Sequence, residues 1–184
     1  DQIIYRNKAK INDDIYVSGN LGDSYVGLLI LKNKIKLNNI LSKYFVKQYF
    51  LPNIQSRLTK YLIKFANTSI DISDGLLADL DKMLNIQKLS YKIHLENIPI
   101  SKHLKKTLEL KKLKKINFIS RGDDYQILFT ASQNKRRIIK IISSLLGVKI
   151  TKIGIIQNKS LKPSIIDQNS TVITIKNKGY LHQF

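Results

Sequence analysis

The segment 70–80 constrains the fold most, because two carboxylates flank a serine immediately before an apolar helical pattern begins. Asp71 and Asp74 are three residues apart, so at a strand-to-helix turn both side chains can point the same way. Magnesium prefers such oxygen ligands and commonly bridges one or two carboxylates to a substrate phosphate. Ser73 followed by Asp74 is also a common helix start. The segment therefore predicts a strand, a turn and a helix, and leaves a helix cap and a metal or phosphate site both open.

Composition narrows the class of protein. Residues 1–184 are expected to form one domain, since a chain of this length can bury a core without disulfides. The sequence holds no cysteine, which excludes thiol chemistry and fits a cytoplasmic location. It shows no signal peptide and no apolar run of about 18 residues, so no membrane partner is expected.

The chain is strongly basic, with 32 Lys and Arg residues against 13 Asp and Glu residues and a formal net charge of +19. Such a charge attracts polyanions at low salt. The basic residues are mostly lysines spread along the sequence, and the densest group, between 105 and 115, has the spacing of a solvated helix face. No arginine-rich arm or RNA-binding signature is present. We therefore expect no specific nucleic-acid partner and keep a basic nucleic-acid-binding module as an alternative.

Strand-like and helix-like patterns alternate along the chain. The predicted strands cover 15–19, 68–72, 91–95, 125–130, 148–156 and 172–175. The predicted helices cover 25–32, 37–49, 54–65, 73–84, 101–113 and 134–145. This alternation predicts an α/β fold, here a layered α+β arrangement of helices on a sheet.

A second acidic cluster, Asp123 and Asp124, follows Gly122 just before a predicted strand. Glycine permits close approach of the backbone to a ligand, and paired acids suit a metal, a polar substrate or a plain solvated turn. The three histidines, His94, His103 and His182, have no metal-ligand spacing. The sequence also lacks a GxxxxGK[ST] phosphate loop.

Taken together, these motifs resemble the C-terminal half of thiamine-monophosphate kinase, within the aminoimidazole ribonucleotide synthetase-like superfamily. The matching segments, in chain order, are 13–19 (DDIYVSG), 21–24 (LGDS), 66–76 (ANTSIDISDGL), 122–130 (GDDYQILFT), 153–154 (IG) and 178–180 (KGY). The resemblance implies the C-terminal domain of that fold, a mixed sheet packed with helices, and an absent N-terminal ATP-binding domain.

The resemblance also implies an activity, in which ATP as co-substrate phosphorylates thiamine monophosphate to thiamine diphosphate with Mg²⁺ bridging the phosphates. Asp71 and Asp74 match magnesium ligands, and Ser73 and Arg6 match contacts to ATP. Asp123 and Asn177 match contacts to thiamine monophosphate. No residue is assigned to covalent or acid–base catalysis, because phosphoryl transfer depends mainly on positioning and on cations.

Three positions depart from the family pattern. Asp123 stands in place of Glu, Arg121 in place of Gly, and Asn177 in place of an aromatic residue. The family's N-terminal half is expected to be a partner of this chain. Without that half, the chain is expected to be inactive. The alternatives are an inactive relic of a split gene or another member of the same superfamily, such as an aminoimidazole ribotide synthetase or a selenophosphate-forming enzyme.

Overall fold

A six-stranded sheet forms the centre of the structure, a computed structural model that describes residues 3–174 and residue 179. The strands are β1 (Asp14–Ser18), β2 (Thr68–Asp71), β3 (Ser90–His94), β4 (Ile127–Ala131), β5 (Ile150–Gln157) and β6 (Ser164–Ile166). The helices are α1 (Asp23–Leu31), α2 (Asn39–Phe50), α3 (Ser56–Leu62), α4 (Leu76–Asn85), α5 (Lys102–Lys111), α6 (Ile116–Ile119) and α7 (Arg136–Leu146). Short 3₁₀ turns lie at Leu95–Asn97 and Gln133–Lys135.

The sheet is mixed, with the strand order β2-β4-β1-β5-β3-β6. The β1–β4, β1–β5, β2–β4 and β3–β5 pairs are antiparallel, and the β3–β6 pair is parallel. This arrangement confirms the predicted mixed α/β architecture. Because β2 and β4 are antiparallel neighbours, the loop that follows β2 lies beside the loop that precedes β4.

Both faces of the sheet are buried, as the alternation of side chains along β1 shows. Ile15 and Val17 point into one cluster, which includes Leu76 and Leu80 of α4. Tyr16 points into the opposite cluster, which is covered by α3 and α7. Successive side chains of a strand face opposite sides, so the three central residues of β1, which meet both clusters, are all apolar.

A third apolar cluster joins the four helices α1, α2, α5 and α6 away from the sheet. Val26 of α1 packs there with Phe45 of α2, Leu104 of α5 and Phe118 of α6. This cluster fixes α1 and α2 beside the loops that precede β4. Among the described residues, no helix is both long and apolar enough to span a membrane.

Several predicted boundaries are wrong. The helix predicted over 73–84 begins only at Leu76, and the strand predicted over 125–130 begins at Ile127 because Tyr125 has a φ of 49°. The strand predicted over 148–156 begins at Ile150 and runs through Gly154 to Gln157. Of the strand predicted over 172–175, the described residues form a single bridge between Val172 and Ile166. Helix α6 and strand β6 had no counterpart among the predicted elements.

Asp14 is a fully buried carboxylate at the centre of the sheet, on β1. Its oxygens accept hydrogen bonds from the Arg136 guanidinium at 2.6 and 2.9 Å, and the Lys152 ammonium lies at 2.7 Å. Burial by itself would raise the pKa of Asp14, but the hydrogen bonds from Arg136 and Lys152 outweigh burial and hold its pKa below the ordinary value of 3.8.

We expect the Asp14 carboxylate to make stability depend on pH in the acid range. Since its pKa is lower in the folded than in the unfolded chain, its contribution is complete above about pH 5 and is lost as the pH falls through the folded-state pKa. Urea unfolding of the wild type and of Asp14→Asn between about pH 3 and pH 7 measures this. The free-energy difference between the two proteins should shrink toward low pH, and a constant difference would contradict the assignment.

Candidate functional site

Two acidic loops that lie far apart in the sequence pack against each other at one end of the sheet. The SDG loop (residues 72–75) follows β2, and the GDD loop (residues 120–126) precedes β4. The backbone N–H groups of Asp123 and Tyr125 donate to the carbonyl oxygens of Ser73 and Ile72, both at 2.9 Å. The N–H of Ile72 donates in turn to the carbonyl of Gln126 at 2.8 Å. The antiparallel pairing of β2 with β4 thus continues into the loops and brings the two predicted motifs together.

Two glycines make this close packing possible. A Cβ atom at Gly122 would collide with the carbonyl oxygen of Ser73. Gly75 has a φ of 118°, a conformation that residues with side chains rarely adopt, and a Cβ there would lie 2.5 Å from the carbonyl oxygen of Ser120. The loops are therefore in backbone-to-backbone contact, which only glycine allows at these positions.

Gly122→Ala is expected to lower the free energy of unfolding by about 2–3 kcal/mol, because the new methyl group meets backbone that cannot move aside cheaply. Gly147→Ala is the matched control, since Gly147 has a φ of 63° but open space around it. The control should lose only about 1 kcal/mol, the cost of the left-handed conformation. Chemical denaturation measures both, and equal losses would contradict the packing argument.

Asp79, a buried residue in the first turn of α4, holds the SDG loop in place. Its Oδ2 atom accepts hydrogen bonds from the backbone N–H groups of Ser73, Asp74 and Gly75 at 2.9, 2.9 and 3.1 Å. Gly75 is the residue that precedes the helix, and it offers no side-chain cap. The helix cap considered for Ser73 and Asp74 is therefore wrong. The carboxylate that accepts from these N–H groups comes from inside the helix, at Asp79.

Asp71 and Asp74, the two carboxylates on either side of Ser73, have different surroundings. Asp71 is exposed at the end of β2. Asp74 is largely buried and forms an ion pair with Lys82, whose ammonium also lies 3.1 Å from Oδ1 of Asp79. The hydrogen bond to Asp74 is the main reason that the pKa of Lys82 is raised.

A cavity of about 680 Å³ opens beside the two loops. Helices α1 and α2 form its opposite wall. Its lining combines aromatic rings, carboxylates and cations: Tyr25, Tyr49, Tyr125, Asp74, Asp123, Lys32 and Arg121, together with Leu28, Ser73 and Gly122.

The charges in this cavity interact with one another. Partial burial raises the pKa of Asp123, and the negative charge of Asp74 raises it further. The Arg121 guanidinium lies 5.5 Å from the centre of the Tyr25 ring, which is within cation–π distance. The cavity therefore offers a cation both negative charge and aromatic faces, and Arg121 already uses one of those faces.

Asp123 and Asp124 have separate roles, although the sequence presents them as a pair. Asp123, with a φ of 66°, faces the cavity. Asp124 is buried, and both of its oxygens accept from the N–H of Gly22, at 2.8 and 3.0 Å. Burial and the nearby charge of Asp23 raise the pKa of Asp124 well above its usual range. Asp124 thus ties the GDD loop to the loop before α1.

Relatives of known identity match nearly the whole chain. Thiamine-monophosphate kinase of Buchnera aphidicola subsp. Acyrthosiphon pisum (strain APS) is 36% identical over 181 residues, which cover 97% of this chain and 55% of that protein. The chain is a homologue of the C-terminal half of thiamine-monophosphate kinases. It spans only about half the length of the kinase relatives it matches. No family model matches it.

Solved structures of thiamine-monophosphate kinases share the fold. The enzyme from Stenotrophomonas maltophilia K279a superposes with a TM-score of 0.74 at 28% identity, over 91% of this chain and 53% of that one. AaThiL complexed with AMPPCP and TMP superposes with a TM-score of 0.75 at 26% identity, over 96% of this chain and 53% of that one. These likenesses confirm the predicted C-terminal domain fold of the aminoimidazole ribonucleotide synthetase-like superfamily.

The structure brings some of the residues implied by the kinase resemblance together, but not all of them. Ser73, Asp74 and Asp123 line one cavity. Arg6 is exposed in a turn and is not among the described residues that line it. Asn177 lies outside the described residues. Gly179, two residues further on, is described and packs against the backbone of Asp74 and the side chain of Ala78.

Asp74 lines the cavity and Asp71 is not among the described residues that do, but both carboxylates have the chemistry that magnesium prefers. Within residues 3–174 and residue 179, no group of three or more His, Cys, Asp or Glu side chains is placed to hold a metal ion. Asp71 and Asp74 nevertheless supply the hard oxygen ligands that Mg²⁺ takes, and Mg²⁺ usually completes its shell with water and substrate phosphates. The donor chemistry therefore fits magnesium bound jointly with a phosphate ligand.

Sequence reasoning missed four residues that shape the site: Asp79, Lys82, Tyr25 and Tyr49. Asp79 was within reach of prediction, because an acidic residue in the first turn of a helix can satisfy free N–H groups. The two tyrosines gave no local signal, since they face the cavity only because α1 and α2 pack beside the GDD loop.

Proposed function

We propose that this chain is the C-terminal part of an ATP-dependent kinase that phosphorylates thiamine monophosphate to thiamine diphosphate and requires an N-terminal half. The observation that carries the proposal is the cavity between the two loops and helices α1 and α2, with its tyrosines and carboxylates, in a homologue of thiamine-monophosphate kinases. Asp71 and Asp74 would hold Mg²⁺, which neutralises phosphate charge during transfer. Ser73 and Arg6 would contact ATP.

The lining and the volume of the cavity favour a cationic substrate of the size of thiamine. A positively charged ring gains from aromatic faces and from nearby carboxylates, and Tyr25, Tyr49 and Asp123 supply both. Asn177 would contact the substrate from the segment beyond residue 174. The structural relative in complex with AMPPCP and TMP supports the same pair of ligand classes.

The length of the relatives and the ligand set of the described part support the proposed requirement for a second half. Its described part has no phosphate-cradling glycine loop and no complete set of metal ligands, and the relatives are about twice as long. We propose residues 1–184 as the C-terminal domain and an N-terminal half, on this or another polypeptide, as its partner. The absence of cysteine fits a cytoplasmic location.

The first test is a calorimetric titration of the chain with thiamine monophosphate. We expect saturable binding that weakens in Tyr25→Leu and is unchanged in Tyr5→Leu, which removes an exposed tyrosine outside the cavity. A chain that shows no binding would favour the inactive-relic alternative, for which the departure at Arg121 is the supporting observation.

Arg121→Gly is expected to tighten the binding of thiamine, the cation without its phosphate, by about tenfold. The substitution removes a positive charge from the cavity and frees the face of Tyr25, and each effect contributes about half of that change. Lys64→Met is the control, because it removes a cation from above Tyr61, outside this cavity. Equal affinities of Arg121→Gly and wild type would show that thiamine does not enter this cavity.

A further inference from the structure

The Lys82 ammonium lies where a metal ion bound to Asp74 of the SDG loop would lie. This ammonium donates a hydrogen bond to Oδ2 of Asp74 and lies 3.1 Å from Oδ1 of Asp79. The side chain of Asp79 is 1% exposed and that of Asp74 is 16% exposed, whereas that of Lys82 is 49% exposed. The lysine therefore covers two largely buried carboxylates from the solvent side.

The local charge balance depends on this lysine. The other oxygen of Asp79 is already engaged by three backbone N–H groups. Lys82 thus places a full positive charge in contact with both carboxylates. A divalent cation approaching Asp74 meets a like charge, and the ammonium must leave before that oxygen can become a ligand.

Lys82 is suited to such a displacement. It reaches Asp74 from α4, eight residues along the chain, by a flexible stem that is half exposed. An ammonium group is a compact and strongly hydrated charge, so it can return to water when a competing cation takes its place. Asp79, in contrast, is fixed by its backbone contacts and stays in place.

We propose that Lys82 is a resident counter-cation of the SDG loop that competes with divalent metal for Asp74 and so lowers the metal affinity of this chain. The inference rests on the proposed function, in which Asp74 is a metal ligand. The inference adds Lys82 as a residue that sets the metal concentration at which the site fills. Binding of a divalent cation and release of the Lys82 ammonium to solvent are then one coupled event.

The test measures direct binding of Mn²⁺ to the 184-residue chain by electron paramagnetic resonance, with Mg²⁺ as competitor. Lys82→Met is expected to bind Mn²⁺ about tenfold more tightly than the wild type, because it removes a like charge from contact with the ligand oxygen. Lys82→Arg keeps the charge and should bind as weakly as the wild type. Lys152→Met is the matched control, since it removes a lysine from another buried carboxylate, Asp14, away from the loop.

Asp74→Asn separates this inference from the proposed function. In the Lys82→Met background it should abolish the gain in affinity. If Lys82→Met binds no more tightly than the wild type while Asp74→Asn still weakens binding, Lys82 is not a competitor and the metal assignment stands. If Asp74→Asn binds Mn²⁺ as the wild type does, both the inference and the metal role of Asp74 are overturned. If no variant binds it, the inference is overturned, and the turnover of Asp74→Asn in the assembled enzyme decides the metal role.

Discussion

Asp74→Asn is expected to reduce the rate of thiamine diphosphate formation at least 100-fold in the enzyme assembled with an N-terminal half. Losing a charged metal ligand removes stabilisation of the phosphate charge that develops during transfer, and a 100-fold loss corresponds to about 2.7 kcal/mol. The free energy of unfolding should change by less than about 1 kcal/mol, because the loop keeps its backbone bonds to Asp79 and Lys82 keeps its contact with Asp79.

The control for this substitution is Asp167→Asn, which alters a carboxylate that accepts from the backbone of Asn169 and Thr171 in a surface turn. Its rate should equal that of the wild type. Turnover is measured at saturating ATP and Mg²⁺, beside urea unfolding of each protein. Equal rates for Asp74→Asn and the wild type would remove Asp74 from the site. Asp71→Asn is a less clean test, because Asp71 also ends β2.

Asp79→Ala is expected to have the largest effect on stability, a loss of about 3 kcal/mol in the free energy of unfolding. Three backbone N–H groups would lose their shared acceptor in a buried position, and unsatisfied buried donors are costly. The loop that carries Ser73 and Asp74 would also lose its shape, so substrate affinity should fall together with stability.

Asp79→Asn distinguishes the loss of charge from the loss of an acceptor. The amide keeps one oxygen acceptor of similar shape, so we expect about half of the loss seen in the alanine variant. Chemical denaturation compares the two variants with Asp167→Asn, which alters a carboxylate in a surface turn away from this loop. Wild-type stability in Asp79→Ala would show that the hydrogen bonds of Asp79 do not hold the loop.

The central strands could be predicted from sequence because their patterns are local. The three central residues of β1 and four of the five residues of β4 are apolar, and both strands are buried along their whole length. The start of α4 could not be placed by its first polar residues, since the acceptor for the free N–H groups lies at Asp79, inside the helix. Likewise, Tyr125 looks like the first residue of a strand, but its left-handed conformation belongs to the loop packing.

Only some residues of the candidate site could be predicted from the sequence. Asp74 and Asp123 stood out as acids beside glycines, and they share one cavity. Asp124, next in the sequence, could not be told apart from Asp123, because its role depends on the N–H of Gly22, about a hundred residues earlier. The role of Lys82 could not be predicted either. In a chain with a net charge of +19, nothing in the sequence distinguishes this lysine until its partner, Asp74, is known.

The most direct test of the central claim is transfer of labelled γ-phosphate from ATP to thiamine monophosphate, with this chain alone, with a supplied N-terminal half, and with that half alone. We predict Mg²⁺-dependent formation of labelled thiamine diphosphate only when both halves are present. A folded chain that yields no product with any functional N-terminal half, although Asp71 and Asp74 are intact, would contradict the account.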